Sequence, residues 1–312
     1  KIIMSNASQG YGIMIYSFNQ SGSATERGLV ANNTVSINGV GSSALRGFNL
    51  EGNSNFTDFY HNSVLMTTTN TQATALYISS GQSSTNNVRN NIFQNLGNGL
   101  AAETWSGMTV NYNNYFTRGT VYGKFNNVNY NTFALHRTAS GQDVNSLNKE
   151  VIFVSNTNLH TTTPCIADAG FNVLSVVPTD MDSAARSTTP DIGADEFSAA
   201  TFDAMVTAVR APSTAVVTSG TPYTVKITVR NNGTTTITSL DANYSVNGSV
   251  TSETFTGLNI LPCDTLLLTF TAPYTFGAGG NNLFRAFTGN VNGSADLLNS
   301  NDTFTTSFCT SF

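Results

Sequence analysis

Charged side chains are scarce in this chain. Only 10% of the 312 residues are Asp, Glu, Lys or Arg, against roughly 25% in an ordinary soluble domain. The formal net charge is −5 and no stretch forms a basic stripe, which argues against nucleic acid as a partner. Asn, Thr, Ser and Gly supply the polarity instead, and this bias favours an extracellular, cell-surface protein.

Long apolar runs are missing as well. No run approaches the roughly 20 residues needed to span a bilayer, so we predict no membrane span. The chain opens on Lys1 without a signal-peptide pattern. We therefore expect an internal or processed piece of a longer polypeptide, whose neighbouring domains would be its first partners.

Cysteine is rare, with three in the chain. Cys165, Cys263 and Cys309 fit no metal-binding spacing. Cys263 and Cys309 fall in the same predicted domain, where they would either form one disulfide in an oxidising compartment or stay two buried thiols. Cys165 is interpreted as a small buried apolar residue.

A recurring fragment dominates the first half of the chain. Its clear copies are Ala31-Asn32-Asn33-Thr34-Val35, Tyr60-His61-Asn62-Ser63-Val64 and Arg89-Asn90-Asn91-Ile92-Phe93, with weaker copies at 112–116 and 129–133. The shared Asn recurs in steps of 29 residues. Such a period without helical patterning predicts a solenoid of stacked coils.

The repeated Asn also predicts a contact between coils. Four residues are expected to stack in a structural ladder: Asn33, Asn62, Asn91 and Asn114. The alternative is that each is an isolated turn residue with a left-handed backbone. Apolar segments at 12–15, 44–48, 75–78 and 99–102 precede the Asn fragments, so we expect two strands per coil around a core of Val, Ile, Leu and Phe.

The end of the first domain carries a recognisable sequence motif, Pro190-Asp191-Ile192-Gly193-Ala194-Asp195-Glu196-Phe197. It resembles the closing segment of right-handed parallel β-helix proteins of bacterial surfaces, especially those of Bacteroidota. Together with the coil repeats, the resemblance implies that residues 1–198 form the C-terminal part of a longer β-helix.

Residues 199–312 have a different pattern. Period-2 strands are separated by turn signals such as Asn231-Asn232-Gly233, Asn247-Gly248 and Asn292-Gly293, and this spacing predicts a β-sandwich. The turns, together with 244–248 and 292–302, resemble the immunoglobulin-like, cell-adhesion-related (CARDB-type) domains of secreted bacterial proteins, which implies a spacer role. The predicted fold class is therefore all-β, a right-handed parallel β-helix followed by an immunoglobulin-like β-sandwich.

Two groups of side chains are candidate binding sites. Asp180, Asp182, Asp191 and Asp195 would either bind Ca²⁺ or form a structural network with Arg186. Trp105, Tyr112, Tyr115 and Tyr122 would either form an aromatic face for carbohydrate or point partly into the core. Asp296 and Asp302 are interpreted as turn residues, with Ca²⁺ ligation as the alternative.

The coils are poor in catalytic groups. Their carboxylates are Glu26, Glu51, Asp58 and Glu103, spread among different turns, and His61, His136 and His160 have no companion at a catalytic spacing. We predict a segment that is not an enzyme and uses no cofactor. It would serve as a structural or adhesive part of a large secreted or cell-surface protein, contacting surface carbohydrate or other copies of itself. The alternatives are a polysaccharide lyase or glycosidase with an accessory sandwich, and a carbohydrate-binding module.

Overall fold

The computed structural model describes residues 1–40, 44–82 and 85–311. The chain is almost entirely β and divides into two compact units. The coiled unit comprises 1–162 and 166–198, and the C-terminal unit comprises 163–165 and 199–312. Residues 163–165 were expected in the first domain and are instead part of the second.

The coiled unit consists of short strands. In chain order they are β1 (Ile2–Met4), β2 (Gly10–Tyr16), β3 (Gly28–Ala31), β4 (Thr34–Ile37), β5 (Leu45–Glu51), β6 (Thr57–Tyr60), β7 (Ser63–Met66), β8 (Thr74–Ile78), β9 (Asn87–Arg89), β10 (Ile92–Asn95), β11 (Leu100–Thr104), β12 (Thr109–Asn111), β13 (Asn114–Thr117), β14 (Gly123–Phe125), β15 (Val128–Tyr130), β16 (Phe153–Ser155) and β17 (Asn158–Thr161). One helix, α1 (Phe133–Ser140), and a 3-10 turn (Pro164–Ile166) complete the elements up to residue 198.

Three parallel sheets arise from successive coils. Their strand orders are β1-β4-β7-β10-β13, β2-β5-β8-β11-β14 and β3-β6-β9-β12, with β15 added to the second sheet as an antiparallel edge. The chain visits the three sheets in turn, so a coil contains three strands, not the two expected. The Asn fragment is divided by a sharp corner, which splits what looked like one strand into two.

The core of the coiled unit runs along the inside of the stacked coils. Val35 lies opposite Val64, and Val64 lies opposite Phe93, in the register of the first sheet. All three are at most 1% exposed. The Phe93 ring lies 6.1 Å from that of Phe48 and 5.6 Å from that of Tyr115, so aromatic packing continues the aliphatic column.

The parallel coils end where the weakest Asn copy, at 129–133, was expected to continue them. That copy does not join the Asn sheet, because the hydroxyl of Thr132 accepts a hydrogen bond from Leu135 N and caps the start of α1. Gly141 ends the helix with a left-handed backbone at φ 65°.

The C-terminal unit is built from longer, mostly antiparallel strands. They are β18 (Ala204–Ala211), β19 (Val216–Thr218), β20 (Pro222–Tyr223), β21 (Lys226–Asn231), β22 (Ile237–Val246), β23 (Ser249–Ile260), β24 (Thr265–Thr269), β25 (Tyr274–Thr275), β26 (Gly280–Gly289) and β27 (Phe304–Ser311). The main sheets are β18-β21-β24 and β19-β27-β26-β22-β23, with β20 and β25 forming a separate pair. They share one apolar core, in which Tyr244 stacks on Phe284 at 5.4 Å.

One disulfide lies within the C-terminal unit, and it is not the expected Cys263–Cys309 pair. Cys165 bonds to Cys263 across a Cα–Cα distance of 5.8 Å, and Cys309 is a free, exposed thiol. Strand alternation explains the difference. Phe308 of β27 points into the core, so its neighbour Cys309 points outward, away from buried partners.

Within the described residues, no helix is both long and apolar enough to cross a bilayer.

Candidate functional site

The corner that divides each Asn fragment organises the candidate site. The first corner residue has a left-handed backbone in four coils: Asn32, His61, Asn90 and Tyr112, at φ 56°, 53°, 58° and 56°. Asn adopts this conformation more readily than most residues, which accounts for two of the four. We call these residues the corner column, and the residues that follow them, Asn33, Asn62, Asn91 and Asn113, the amide ladder.

The amide ladder is a continuous hydrogen-bonded stack. Asn33 donates from Nδ2 to Oδ1 of Asn62 at 3.0 Å, and Asn62 donates to Oδ1 of Asn91 at 2.9 Å. Asn91 donates to Oδ1 of Asn113, also at 2.9 Å. Asn62, Asn91 and Asn113 are fully buried. Because an amide carries both donors and an acceptor, identical side chains satisfy each other from coil to coil.

The fourth ladder residue is Asn113 and not the expected Asn114. The separation between Asn91 and its partner shrinks to 22 residues, and the fragment Tyr112-Asn113-Asn114 offers two adjacent amides. The left-handed backbone at Tyr112 determines which one faces the ladder. Asn114 lies inside the next strand, where its side chain pairs with the backbone of Lys149 at 2.9 and 3.0 Å.

His61, in the corner column, has both ring nitrogens engaged. Nδ1 lies 3.2 Å from the carbonyl of Gly193, to which it donates, and Nε2 accepts from Nδ2 of Asn90 at 2.9 Å. Burial, reinforced by the charge of Arg186, lowers the pKa of His61 to about 3. The imidazole is therefore neutral near pH 7 and acts as a structural link.

Residues 166–197, the closing segment, bind along the corner column. The amide of Asn90 pairs with the backbone of Phe171, donating to its carbonyl at 2.7 Å and accepting from its N–H at 2.8 Å. Farther along, Gly193 N donates to the Asn90 carbonyl at 2.8 Å and Ala194 N donates to Ser63 Oγ at 2.9 Å. The motif at residues 190–197, which marks the end of the domain in the sequence, thus joins two coils.

Arg186 anchors the closing segment from within. Its side chain is 0% exposed and pairs with Glu196 at 3.1 Å. The guanidinium also donates to Oδ1 of Asn32 at 3.1 Å and to the carbonyls of Gly193 and Ala194 at 3.2 and 3.0 Å. A buried charge is tolerated only with such compensation, so Arg186 holds the segment against the first corner.

The four Asp residues considered for Ca²⁺ mainly cap backbone. Asp180 accepts from the N–H groups of Asp182 and Ala184, at 2.9 and 2.8 Å. Asp191 accepts from Asp168 N and Phe197 N, both at 2.7 Å, and burial raises its pKa to about 7. These contacts correspond to the structural alternative.

Two of these Asp residues meet a histidine. Over the described ranges, Asp182 and Asp195 come within ligand reach of His160, whereas Asp180 and Asp191 do not join them. His160 Nε2 lies 2.6 Å from Asp182, and the two side chains are 42% and 54% exposed. Asp195 accepts from Thr161 N at 2.9 Å. His160 and Asp182 thus form a partly exposed surface pair, whereas Asp195 is buried and bonded to backbone.

The four candidate aromatic residues do not share a face. Tyr115 and Tyr122 are 1% and 4% exposed and belong to the apolar core. Tyr112 packs against Phe171 of the closing segment at 5.3 Å. Trp105 is half-buried beside a small cavity. Two of the rings are buried in the core and a third is covered by the closing segment, so the four do not form a common stacking platform.

Three of the four carboxylates noted in the coils are paired with nearby cations. Arg27 donates from Nε to Asp58 at 2.7 Å, Arg46 lies 2.7 Å from Glu51, and Lys124 lies 3.3 Å from Glu103. Burial opposes ionisation of Asp58, but Arg27 and Asn87 together keep its pKa below the usual value. Glu51 and Asp58, which seemed close enough to share a loop face, each have their own arginine.

Sequence reasoning missed Asp143. This carboxyl group is buried near the last parallel coils, accepts from Ser146 Oγ at 2.5 Å, and has its pKa raised to about 6 by burial. A single Asp in a polar stretch carries no signal that distinguishes it from a solvated one.

No protein-family model matches the chain, and no curated protein matches its sequence. The crystal structure of a CARDB domain from Pyrococcus furiosus, in complex with di-metal ions, is 18% identical with a TM-score of 0.28. That match covers 35% of this chain and 87% of the domain. A solution structure of the same domain is 17% identical with a TM-score of 0.27, over 35% of this chain and 94% of the domain.

Proposed function

We propose that this chain is a non-catalytic structural or adhesive segment of a large secreted or cell-surface bacterial protein. Its coiled unit would be a right-handed parallel β-helix and its C-terminal unit an immunoglobulin-like, CARDB-type sandwich. The observation that supports the proposal is that Asp58 and Glu103 are paired with cations of neighbouring coils, and Glu51 with an arginine of its own strand.

The carboxylates illustrate this commitment. Asp58 is 3% exposed and contacts both Arg27 and Asn87, on the neighbouring coils. A glycosidase needs two carboxyl groups facing one sugar, one of them able to give up a proton. Asp58 is buried, ionised and held by an arginine, so it is suited to joining coils and not to donating a proton.

The polar contacts between coils suit a protein that must resist mechanical force. The amide ladder crosses four successive coils, and the closing segment is hydrogen-bonded to His61, Asn90 and Ser63. Pulling the coils apart would break several of these hydrogen bonds at once, each with a net contribution of about 0.5–1.5 kcal/mol. Neighbouring domains, surface carbohydrate and further copies of the chain are the partners such a segment would hold.

An assay for cleavage tests the non-catalytic part of the proposal. The purified chain is incubated with acidic and neutral polysaccharides, with and without Ca²⁺, and new reducing ends or unsaturated products are measured. We expect none above a heat-denatured sample. Turnover lost in Glu51→Gln or Asp58→Asn, with the circular dichroism spectrum preserved, would establish the enzyme instead.

Retention under flow tests the adhesive part. Beads carrying the chain are passed over immobilised bacterial surface carbohydrate and over a layer of the same chain. We expect retention on at least one surface, compared with beads carrying an unrelated β-protein. Equal loss from both surfaces would contradict adhesion and restrict the proposal to a structural role.

A further inference from the structure

Three buried carboxylates converge in the C-terminal unit. Asp203 directly precedes β18, Asp296 lies between β26 and β27, and Asp302 precedes β27. Their exposures are 0%, 5% and 5%, and each offers an oxygen within 4.8 Å of the others. Segments distant in sequence thus bring three carboxyl groups together in one buried cluster.

Two of the carboxylates are held in position by the protein. Asp203 accepts from Asn232 Nδ2 at 2.8 Å, and Asn301 Nδ2 lies 3.2 and 3.1 Å from its two oxygens. Asp296 accepts from Ala204 N at 2.8 Å and from Leu298 N at 3.0 Å. The cluster is therefore preorganised by backbone and amide donors.

One oxygen of the third carboxylate lacks a donor among the described residues. Oδ1 of Asp302 is buried and has no hydrogen-bond partner in the part of the chain that the structure describes. Oδ1 of neighbouring Asn301 is likewise buried and unpartnered there, while its amide nitrogen faces Asp203. Buried oxygens are nearly always satisfied by protein, water or an ion. Two such acceptors beside a cluster of negative charge point to a cation.

The ligand atoms and the negative charge of the cluster limit which kind of cation can bind. All the available ligands are oxygens, which suits a hard cation and not a thiophilic or imidazole-seeking metal. Arg230 acts electrostatically on Asp203, so with all three carboxyl groups ionised, as ligation of a cation requires, about two negative charges are left to be balanced. Ca²⁺ tolerates an irregular set of six to eight oxygens, whereas Mg²⁺ demands a near-octahedral set.

We propose that Asp203, Asp296 and Asp302 bind one divalent cation, with Ca²⁺ preferred, and that Asn301 Oδ1 is a fourth protein ligand. The cation ties the starts of β18 and β27 to the loop between β26 and β27. Water completes the coordination. The His160 group of the coiled unit differs, because its members are more exposed and already paired.

Calorimetric titration of the whole chain with CaCl₂, after removal of metal by a chelator, tests the site. We expect one Ca²⁺ per chain and a rise in the melting temperature with Ca²⁺ concentration, because a ligand that binds only the folded state stabilises it. Asp302→Asn should weaken binding at least tenfold. Asp182→Asn removes the same charge from the His160 group and should leave the affinity unchanged.

Measurements on the unmodified chain keep the test independent of how well a variant folds. Ca²⁺ should slow amide hydrogen exchange at Ala204 and Leu298, whose N–H groups contact Asp296. The proposal is overturned if neither Ca²⁺ nor Mg²⁺ binds the wild-type chain or protects these amides. It is equally overturned if a folded Asp302→Asn variant binds as tightly as wild type, or if Asp182→Asn abolishes binding.

Discussion

The two units bury different polar groups, because their strands meet in different ways. Parallel coils place like residue over like at a spacing of about 4.8 Å, and a column of identical side chains is stable only if each satisfies its neighbour. Asn meets this condition and Asp does not. Antiparallel strands of the C-terminal unit bring unlike residues together, so its buried carboxylates rely on amide and backbone donors and, by our proposal, on a cation.

Apolar burial should matter equally in both units. Phe93→Ala in the coiled unit and Phe284→Ala in the C-terminal unit each remove a ring that is at most 1% exposed, and each should lower the free energy of unfolding by about 3–5 kcal/mol. Denaturant titration measures the change. Phe18→Ala, at a side chain 41% exposed, should cost less than about 1 kcal/mol, and an equal loss there would contradict the assigned core.

The disulfide should stabilise the C-terminal unit, while the coiled unit contains none of the three cysteines. Replacing Cys165 and Cys263 together by Ala should cost about 2–4 kcal/mol, because the bond closes a loop of 98 residues. Thermal unfolding under non-reducing conditions measures the loss.

Thiol titration provides a separate check on the pairing. One reactive thiol per unreduced chain is expected, and none in Cys309→Ser, since Cys309 is free and exposed. A Cys309→Ser chain that still shows a reactive thiol would mean that Cys165 and Cys263 are not bonded.

The amide ladder should be specific to the coiled unit and sensitive to a single deletion. Asn62→Ala leaves the partners of its side chain, including the carbonyls of Val30 and Tyr60, without their donor. We expect a loss of about 2–3 kcal/mol in a urea titration. Asn98→Ala makes the same change at an exposed amide and should stay within about 0.5 kcal/mol.

The corner column should make the coiled unit sensitive to acid. The pKa of His61 is about 3 in the folded chain and near 6.5 when unfolded. Between these values, as the pH falls, only the unfolded state gains a proton there. Stability should therefore fall by on the order of 1 kcal/mol per pH unit relative to His61→Asn.

His61→Asn is the suitable reference, because Asn32 and Asn90 occupy the same corner position. The shifted carboxyl groups of Asp143 and Asp191 are present in both proteins, so they cancel in the difference. The unfolding free energy of the wild type minus that of His61→Asn should decrease steadily from pH 7 to pH 4. A constant difference would mean that His61 is solvated.

Several features of the ladder were visible in the sequence. Asn33, Asn62 and Asn91 recur at a constant step, and a constant step places residues in one column whatever the details of the coil. The short coil before Asn113 broke that regularity, and the choice between Asn113 and Asn114 then depended on the backbone at Tyr112. The predicted aromatic face was wrong for a tertiary reason, because Tyr115 and Tyr122 point into the core while the closing segment covers Tyr112.

The sequence by itself determined that the chain is β-rich, that its first part repeats, and that the repeat carries an Asn at a constant position. These properties follow from composition and period, which are local. Only the tertiary structure decided that Cys165 pairs with Cys263, that Asp58 belongs to Arg27, and that Asp203 joins Asp296 and Asp302. Each of these contacts joins residues whose separation in the sequence has no period, so the packing of the strands alone brings them together.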